Sequence, residues 1–291
     1  MAYERSVPYR AGTEGYTSFR IPAVVRARSG DLLAFAEGRV SSAADSGTIH
    51  LVLKRSADGG RTWGPLQVVA RNGAGTAGNP APVALDSGRL LLLQVHNAAD
   101  ATEDRIRRGR VQPADGRRVR LQHSDDDGAT WSPPRESTDR SVAPNETTTA
   151  AELPDGSVCL NCRNEAPSAW RRVDAVSTDG GEHLTRPFRP QAGLTGPAVQ
   201  GSALSLGDRG GLLFSGPAHP SARALMTLRA SRDGGLTWRT AHTVTGLPAA
   251  CSDLVRLDRL DRDSVGLRYE TGDFSACSTI TFRRIPVEEP T

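Results

Sequence analysis

Ser231-Arg-Asp-Gly-Gly-Leu-Thr-Trp238 is one of four copies of a short turn motif in this chain. The other copies begin at Ser56, Ser124 and Ser177, and the copy at Ser177 is degenerate because His and Leu stand where the others have Thr and Trp. The pattern S-x-D-x-G-x-T-W predicts a tight hairpin turn. Its Asp accepts hydrogen bonds from the turn amides, its Gly adopts a positive φ, and its Trp packs the turn onto the sheet.

The spacing of the four copies predicts the fold. They start 68, 53 and 54 residues apart (56 to 124, 124 to 177, 177 to 231), which is close to the period of a four-stranded propeller blade with variable loops. Short apolar runs bounded by Gly, Pro, Asp and Asn fill the intervals and read as strands. The sequence therefore predicts an all-β chain that forms a β-propeller, with a single domain over residues 1–291.

The turn motifs also divide the chain into five predicted sheet units. Their approximate bounds are 16–66, 78–133, 141–188, 198–240 and 248–286, and the last unit has no turn motif. Segment 97–120 is too charged for a core, so we expect a loop or short surface helix inserted between strands, of the kind that shapes a pocket at a propeller mouth. Residues 287–291 are predicted to be a frayed tail.

The composition argues against several function classes. The formal charge of +3, from 36 basic and 33 acidic residues, is too small to indicate nucleic-acid binding, and no basic run alternates with aromatic residues. The N-terminus has no apolar segment of the signal-peptide type, and no stretch approaches the length of a membrane span. We therefore expect a soluble, cytoplasmic chain without a transmembrane segment.

The cysteines and histidines do not indicate a metal site. Four cysteines do not make a disulfide framework in a chain of 291 residues. Cys159 and Cys162 form a C-x-x-C, but residues three apart in a strand point to opposite faces, which argues against shared metal binding. None of the six histidines has metal-motif spacing, so we predict no structural metal.

Phe19-Arg-Ile-Pro22 is the most specific signature outside the turns. It resembles the F/Y-R-I-P segment of the exo-sialidases, retaining glycoside hydrolases that remove terminal sialic acid from glycans and carry the same turn motif, the Asp-box. The resemblance runs from about Gly15 to the C-terminus. It implies that Arg20 is the first of three arginines that bind the sialic acid carboxylate, a role suited to the planar guanidinium fork. It implies no cofactor.

Glu37-Gly-Arg39 and the loop that carries Asp45 resemble a second signature of the same family. The resemblance implies that Arg39 contacts the carboxylate region of the substrate. It also implies that Asp45 is the acid/base, which protonates the leaving glycosidic oxygen and later activates water. The alternative for Asp45 is a loop aspartate that caps a turn.

A third signature, N-E-x4-E-L-x-D-G followed by L-N-x-R, resembles the segment from Asn145 to Arg163, although here five residues instead of four separate Glu146 from Glu152. By this resemblance Glu152 is the carboxylate paired with the nucleophile, and Arg163 is the second arginine. The segment Phe214-Ser-Gly-Pro-Ala-His-Pro-Ser-Ala-Arg223 resembles the F-S-N-P…R segment, which implies that Arg223 is the third.

Ala249-Ala-Cys-Ser-Asp-Leu254 departs from the family at one position. The family has a Y-S-D-L-like motif whose tyrosine attacks the anomeric carbon, and Cys251 stands in its place. A thiol ionises more readily than a phenol, but it is shorter and needs surroundings that favour the thiolate. Two alternatives remain open. Either Cys251 is the nucleophile supported by Glu152, or it is a small buried residue in a site that no longer performs double displacement.

The resemblance implies a six-bladed fold, whereas we identify five units and expect either closure with five blades or a gap. The leading hypothesis is an exo-α-sialidase that acts on terminal sialic acids of glycoconjugates with retention. One alternative is a sialic-acid-binding propeller without turnover. Another is a structural Asp-box propeller for protein partners. The presence of both F-R-I-P and L-N-x-R argues against the structural propeller, because Asp-boxes alone do not require those segments.

Overall fold

The computed structural model describes residues 4–136, 148–164, 171–180, 182–185, 188–207, 211–257 and 264–287. Within these ranges the chain forms nineteen strands and a single short helix. In chain order they are β1 (Arg5–Arg10), β2 (Ser18–Arg26), β3 (Leu32–Arg39), β4 (Ile49–Ser56), β5 (Gln67–Ala70), β6 (Thr76–Ala84), β7 (Leu90–Asn97), α1 (Glu103–Arg107), β8 (Arg118–Ser124), β9 (Arg135–Glu136), β10 (Thr148–Glu152), β11 (Val158–Cys162), β12 (Arg171–Ser177), β13 (Arg189–Thr195), β14 (Ser202–Ser205), β15 (Leu212–Pro217), β16 (Ala224–Ser231), β17 (Arg239–Arg256), β18 (Ser264–Thr271) and β19 (Thr279–Pro286).

The strands group into four-stranded antiparallel units, five among the described residues. Units 1, 2 and 3 contain β2 to β5, β6 to β9 and β10 to β13. Unit 4 contains β14, β15, β16 and the first half of β17, and unit 5 contains the second half of β17 with β18, β19 and β1. The first strands of neighbouring units pack side by side in the order β6, β2, β17, β14, β10. This is the architecture of a β-propeller.

Two strands tie the units together. The N-terminal strand β1 pairs with β19, from Arg5 opposite Arg283 to Arg10 opposite Thr279, and so completes the last unit. Strand β17 pairs first with β16 and then with β18, so one continuous strand passes from unit 4 into unit 5. As a result, the first and last units are neighbours, and β2 packs against both β17 and β18.

Strands β3 and β18 are buried along their whole length, because neighbouring units cover both faces of each. Both nevertheless carry charged side chains at one end: Glu37 and Arg39 on β3, and Arg268 and Glu270 on β18. A buried charge is stable only when it is paired and hydrogen-bonded. The positions of these four residues therefore indicate a buried polar network between units 1 and 5.

The turn motifs share one hydrogen-bonding scheme. In the copy that starts at Ser124, the Thr130 backbone N and Oγ1 donate to the two carboxylate oxygens of Asp126 at 2.8 and 2.6 Å. In the degenerate copy His183 takes over both contacts: its backbone N donates to Asp179 Oδ1 at 2.9 Å, and its Nδ1 lies 2.8 Å from Oδ2. The third copy therefore keeps the turn geometry without its threonine.

The turn motifs and the predicted site loops lie at opposite edges of the units. In unit 1, Leu32 at the start of β3 pairs with Ser56, the first residue of a turn motif. Arg39 at the other end of β3 leads into the loop with Asp45. We call the edge that carries Arg39 and Asp45 the site edge, and the opposite edge the Asp-box edge.

The charged segment 97–120 contains the helix. Strand β7 ends at Asn97, α1 follows with Thr102 as its N-cap, and β8 begins at Arg118, so the last three residues of the segment belong to a strand. Within the described residues, no helix has the length and apolar character needed to cross a membrane. Of the predicted tail, Val287 packs against the core of units 4 and 5, and the remaining residues lie outside the described ranges.

Candidate active site

Arg20 is a buried arginine held by a buried glutamate. It lies in β2 with 8% of its surface exposed, and its Nε donates to Glu270 Oε1 at 2.8 Å. Glu270, near the end of β18, is fully buried. Within the described part of the chain, Nη1 and Nη2 of Arg20 have no hydrogen-bond partner. Glu270 therefore fixes the direction of the guanidinium while its two terminal nitrogens stay available to a ligand.

The backbone after Arg20 is strained. Ile21 has φ +53°, a conformation that a β-branched residue rarely adopts, and the pairing of β2 with β3 shifts register between Arg20 and Ala23. The bulge turns the Ile21 N–H toward Glu270 Oε1, to which it donates at 2.8 Å. Such strain costs about 1–3 kcal/mol and persists where surrounding contacts enforce it. The F-R-I-P segment therefore encodes a backbone shape as well as the arginine.

Cys251 lies on the other side of the same glutamate. Its backbone N donates to Glu270 Oε2 at 3.3 Å. Burial and the nearby Glu270 raise the pKa of the Cys251 thiol to about 12, although Arg20, a backbone hydrogen bond from Gln200 and Arg223 act in the opposite direction. The thiol is therefore protonated at neutral pH and lacks the thiolate that a sulfur nucleophile requires.

Arg223 is exposed and lies near Cys251. Its carbonyl oxygen accepts the backbone N–H of Ala249 at 2.8 Å, two residues before Cys251, and its charge acts on the Cys251 thiol. Arg223 precedes β16, and the turn motif begins at the other end of that strand, about 25 Å away. The structure thus brings Arg20, Arg223 and Cys251 together at the site edge.

Arg163 lies at the site edge of unit 3. It is half-buried and directly follows Cys162, which pairs with Thr148 at the start of β10. Strand β10 is tied to unit 4 by a hydrogen bond of 2.9 Å from the Ala203 backbone N to Thr149 Oγ1. This position suits the second arginine of the predicted triad. Its convergence with Arg20 and Arg223 on one ligand stays a prediction.

Arg39 is surrounded by acceptors from the protein. It is 2% exposed, and its Nε and Nη2 donate to Glu37 Oε2 at 3.1 and 2.6 Å. Its Nη1 donates to the Ala43 carbonyl at 2.5 Å and lies 2.7 Å from Asp45 Oδ1, whose side chain is 65% exposed. Glu37 Oε1 in turn accepts the backbone N–H of Asn79 at 2.9 Å. The arrangement shows Arg39 holding the Asp45 loop through contacts inside the protein. The expected contact of Arg39 with the carboxylate region of the substrate stays a prediction.

Arg20 and Glu37 join these two groups of residues into one site. They are direct partners in the antiparallel pairing of β2 with β3, so their side chains project from the same face with Cβ atoms about 5 Å apart. Charges therefore alternate from Glu270 through Arg20, Glu37 and Arg39 to Asp45. Because Arg39 contacts both Glu37 and Asp45, the Asp45 loop is linked through Arg39 to the strand position opposite Arg20.

Glu152 lies elsewhere. It is exposed and ends β10, next to a hairpin turn in which Gly156 N donates to the Leu153 carbonyl. Thr148 at the site end of β10 is about 13 Å away along the strand, and Leu153 faces Gly234 of an Asp-box turn. Among the described residues, the carboxylate in contact with Cys251 is that of Glu270. The position of Glu152 argues against its predicted support of Cys251, which stays a prediction. Glu146, quoted in the same signature, lies outside the described residues.

Sequence reasoning did not assign Glu270 or Glu37. Both lie near the site edge in fully buried strands, and the residues two before Glu270 and two after Glu37 are also buried charges, Arg268 and Arg39. The sequence does contain a signal for these two glutamates: charged residues at alternate positions near the end of an apolar strand. Such residues lie on one face of the strand, and when they are buried they must be paired with other polar groups.

One group of possible metal ligands occurs among the described residues. The side chains of Asp179, Glu182 and His183 approach within 4.8 Å of one another and are exposed. They belong to the degenerate turn motif, where Asp179 already accepts hydrogen bonds from His183. The described residues at the site edge contain no such group.

Comparison with known proteins matches residues 30–150 to the BNR repeat-like domain. An exo-alpha-sialidase of Aspergillus fumigatus is 32% identical over 286 residues, covering 75% of this chain and 69% of that protein. This chain belongs to the BNR-repeat exo-α-sialidase family. A sialidase of Micromonospora viridifaciens is 29% identical over 339 residues, covering 90% of this chain and 51% of that protein, so the chain spans about half the length of this relative.

Solved sialidase structures have the same fold. The Hadza microbial sialidase Hz136 superposes with a TM-score of 0.81 at 22% identity, covering 97% of this chain and 68% of the other. The K499G mutant of NanB sialidase from Streptococcus pneumoniae gives 0.81 at 13% identity, covering 100% and 72%. The predicted sialidase-type β-propeller is thereby confirmed. Membership of the exo-α-sialidase family also confirms that the chain is an enzyme of the glycoside hydrolase class.

Proposed function

We propose that this chain is an exo-α-sialidase that hydrolyses terminal sialic acid from glycoproteins, glycolipids and oligosaccharides. The observation that carries the proposal is Arg20, a buried guanidinium fixed by Glu270 with both terminal nitrogens unused by the described residues. Sialic acid carries a carboxylate on its anomeric carbon. Two parallel N–H donors fit that carboxylate in a way that few neutral sugars could match.

Arg223 and Arg163 complete the carboxylate site in this proposal. Arg223 is exposed, so its guanidinium can move to meet the ligand, whereas Arg20 is preorganised. The preorganised Arg20 loses little conformational freedom when it binds a charged group, whereas the exposed Arg223 loses more. Arg39 is a positioning residue, because the contacts of its nitrogens are to Glu37, Ala43 and Asp45.

Asp45 is the acid/base of the proposed reaction. Its carboxyl group is mostly exposed, lies on a loop of small residues, and is held at one oxygen by Arg39. As the bond between the anomeric carbon and the leaving oxygen breaks, the protonated Asp45 gives its proton to that oxygen. The resulting carboxylate then accepts a proton from the water that becomes the anomeric hydroxyl.

Cys251 decides how the anomeric carbon is attacked. In a retaining reaction the thiol would have to lose its proton, form a carbon–sulfur bond and release the sugar to water. Burial and Glu270 oppose that ionisation, since the pKa of the thiol is about 12. Direct attack by water, with inversion and a low rate, is the alternative course within the same function.

A second candidate function rests on the same observation. A site that holds sialic acid but has only a protonated thiol at the nucleophile position would bind sialylated glycans without turnover. The arginines and Asp45 would then serve recognition alone. This candidate differs from the first in chemistry, with the ligand and the binding residues unchanged.

One experiment separates the two. Purified protein is incubated with 4-methylumbelliferyl sialoside, and free sialic acid is measured. Binding of the unsaturated analogue 2-deoxy-2,3-didehydro-N-acetylneuraminic acid is measured calorimetrically on the same sample. Turnover with binding supports the sialidase, and binding without turnover supports the recognition protein. If the protein does neither, both candidates are wrong.

A further inference from the structure

The hairpin 272–278 presents a fully exposed aromatic ring. It joins β18 to β19, and Phe274 within it is 99% exposed. The other exposed large apolar side chains among the described residues range from 38% to 49% exposed. Phe274 therefore differs from ordinary surface apolar residues, each of which keeps at least half of its surface covered.

The hairpin that carries Phe274 is built as a rigid turn. Ser278 N and Oγ donate to the Ser275 carbonyl at 3.2 and 3.0 Å, and Cys277 N donates to Ser275 Oγ at 3.2 Å. Gly272 packs so closely that an added Cβ would lie 2.5 Å from both Ser275 and Ser278. The turn thus closes through its own polar groups and leaves the phenyl ring outside.

The base of the hairpin is tied to the site. Thr279 Oγ1 donates to the Thr271 carbonyl at 2.9 Å, and Thr271 directly follows Glu270, the residue that holds Arg20. Thr271 also pairs with Ala249, two residues before Cys251. Phe274 therefore stands at the site edge of unit 5, a few residues beyond the groups that surround Cys251.

Segment 11–17 connects this hairpin to the Asp45 loop. Ala11 N donates to the Ser278 carbonyl at 3.0 Å, and Gly12 N donates to the Thr17 carbonyl at 3.2 Å. Thr17 N donates to the Arg39 carbonyl at 2.9 Å, and Thr17 Oγ1 donates to the Val40 carbonyl at 2.7 Å. These bonds run from the Phe274 hairpin to the first residue of the Asp45 loop.

The two loops also occupy equivalent places in neighbouring units. The Asp45 loop joins the second and third strands of unit 1, and hairpin 272–278 joins the second and third strands of unit 5. Since units 1 and 5 are adjacent, the loops are neighbours on one rim. Asp45 faces the leaving oxygen in the proposed reaction, so whatever is attached to that oxygen extends over this rim.

We propose that Phe274 is a platform for the leaving group, binding the sugar to which the sialic acid is attached. This rests on the proposed function and adds the part of the glycan that the arginines do not reach. The apolar C–H face of a pyranose packs on a flat aromatic ring, and a rigid ring loses little conformational freedom on binding. The platform selects oligosaccharide over simple alkyl leaving groups, and it makes no contact with the sialic acid itself.

The test compares ligands with and without the leaving sugars. Variants Phe274→Ala and Phe274→Trp are assayed for KM and kcat on sialyllactose, and for calorimetric affinity to 2-deoxy-2,3-didehydro-N-acetylneuraminic acid, which has no leaving group.

Leu236→Ala is the matched control, because it truncates an exposed apolar side chain in a turn motif on the Asp-box edge. For Phe274→Ala we expect KM to rise about two- to tenfold, the range for aromatic contacts, with affinity for the analogue unchanged. Phe274→Trp and Leu236→Ala keep the wild-type KM.

Several outcomes overturn the platform. If Phe274→Ala leaves KM for sialyllactose unchanged, the ring does not bind the leaving sugars. If it weakens the analogue equally, the effect is a structural one on the sialic acid site. Should the wild-type protein bind without turnover, calorimetric affinity for sialyllactose replaces KM in the same comparison. Only a wild-type protein that binds neither ligand removes the proposed function and the platform together.

Discussion

Arg20 Nε lies 2.8 Å from Glu270 Oε1, although the two residues are 250 positions apart in the chain. Because β1 completes the last unit and β17 runs into it, units 1 and 5 meet, and this ion pair lies where they do. The same carboxylate accepts the backbone N–H groups of Ile21 and Cys251. One buried glutamate thus contacts Arg20, the bulge at Ile21 and the backbone of Cys251.

Glu270→Gln should destabilise the protein strongly. Gln keeps one acceptor oxygen but removes the ion-pair partner of the buried Arg20, and breaking a buried pair in this way costs about 3–5 kcal/mol. Urea denaturation monitored by tryptophan fluorescence measures the change. Asp125→Asn, which breaks an exposed pair with Arg89, is the control and should change stability little. Equal stability of Glu270→Gln and wild type would show that the pair does not hold the two units together.

Asp45→Ala should harm substrates with basic leaving groups most. Acid assistance matters when the departing oxygen is basic, as in sialyllactose, and matters less for 4-methylumbelliferyl sialoside, whose leaving group is already stable. The measurement is the ratio of kcat/KM for the two substrates in each variant. Asp86→Ala removes an exposed acid from the turn between β6 and β7 at the Asp-box edge and should leave the ratio unchanged. Equal losses on both substrates in Asp45→Ala would remove the acid assignment.

Asp253 gives the protein a pH-dependent stability term. Burial raises the pKa of Asp253 from its ordinary value of 3.8 to about 6, despite a hydrogen bond from the Val24 backbone N–H. A raised pKa stabilises the fold while the group is protonated, so the contribution is full below pH 3.8 and is lost as the pH rises through about 6.

Asp253→Asn should therefore remove the part of the pH dependence of the unfolding free energy that comes from Asp253. Relative to this variant, wild type should lose about 2–3 kcal/mol between pH 4 and pH 7, from a shift of about two pKa units. Denaturation of both proteins across that range measures the difference. Asp126→Asn is the control, because threonine and serine hydrogen bonds lower the pKa of Asp126 to about 2 and its contribution is constant there. If the difference in unfolding free energy between wild type and Asp253→Asn does not change with pH, the pKa of Asp253 is not raised.

Much of the fold was predictable from residues that act locally. The turn motifs work through contacts within eight residues, such as Thr130 to Asp126, so sequence alone specifies them and their spacing gives the units. Sequence alone also indicates Arg20, Arg223 and Cys251 as candidates, because each lies in a short signature near a strand end, and the structure places the three near one another. The degenerate turn motif is harder to interpret from sequence. Its residues do not show that His183 makes the hydrogen bonds to Asp179 that a threonine makes in the other copies.

What sequence could not supply was pairing across the chain. Glu270 contacts Arg20 only because the first and last units are neighbours. No short motif around either residue indicates that contact. Glu152 shows the same limit, because its place in the unit depends on the direction of its strand. It directly precedes a Leu-Pro-Asp-Gly turn, which fixes it at the Asp-box edge, whereas the residues around Cys251 lie at the site edge. The direction of β10 decides this, and motif spacing does not show strand direction.

Cys251→Tyr should raise hydrolysis and give a retained product. The phenol restores the longer reach that the family resemblance implies, next to Glu270 and the two arginines that bear on Cys251. Initial rates and the first-formed anomer, followed by proton NMR, are the measurements. Cys251→Ser, which keeps the small side chain, should give no gain. If the hydrolysis rate of Cys251→Tyr equals that of a wild type that already gives the retained product, the thiol or another group is the nucleophile.

The most direct test of the central claim is sialic acid release by wild type and by Arg223→Ala. Arg223 is exposed, so its removal should leave the fold intact while it removes a charge-assisted hydrogen bond to the substrate carboxylate, worth about 1.5–3 kcal/mol. We predict that wild type releases sialic acid from 4-methylumbelliferyl sialoside and that Arg223→Ala lowers kcat/KM about ten- to a hundredfold at unchanged melting temperature. A wild type that neither releases nor binds sialic acid, or an Arg223→Ala protein with wild-type kcat/KM, would contradict the account.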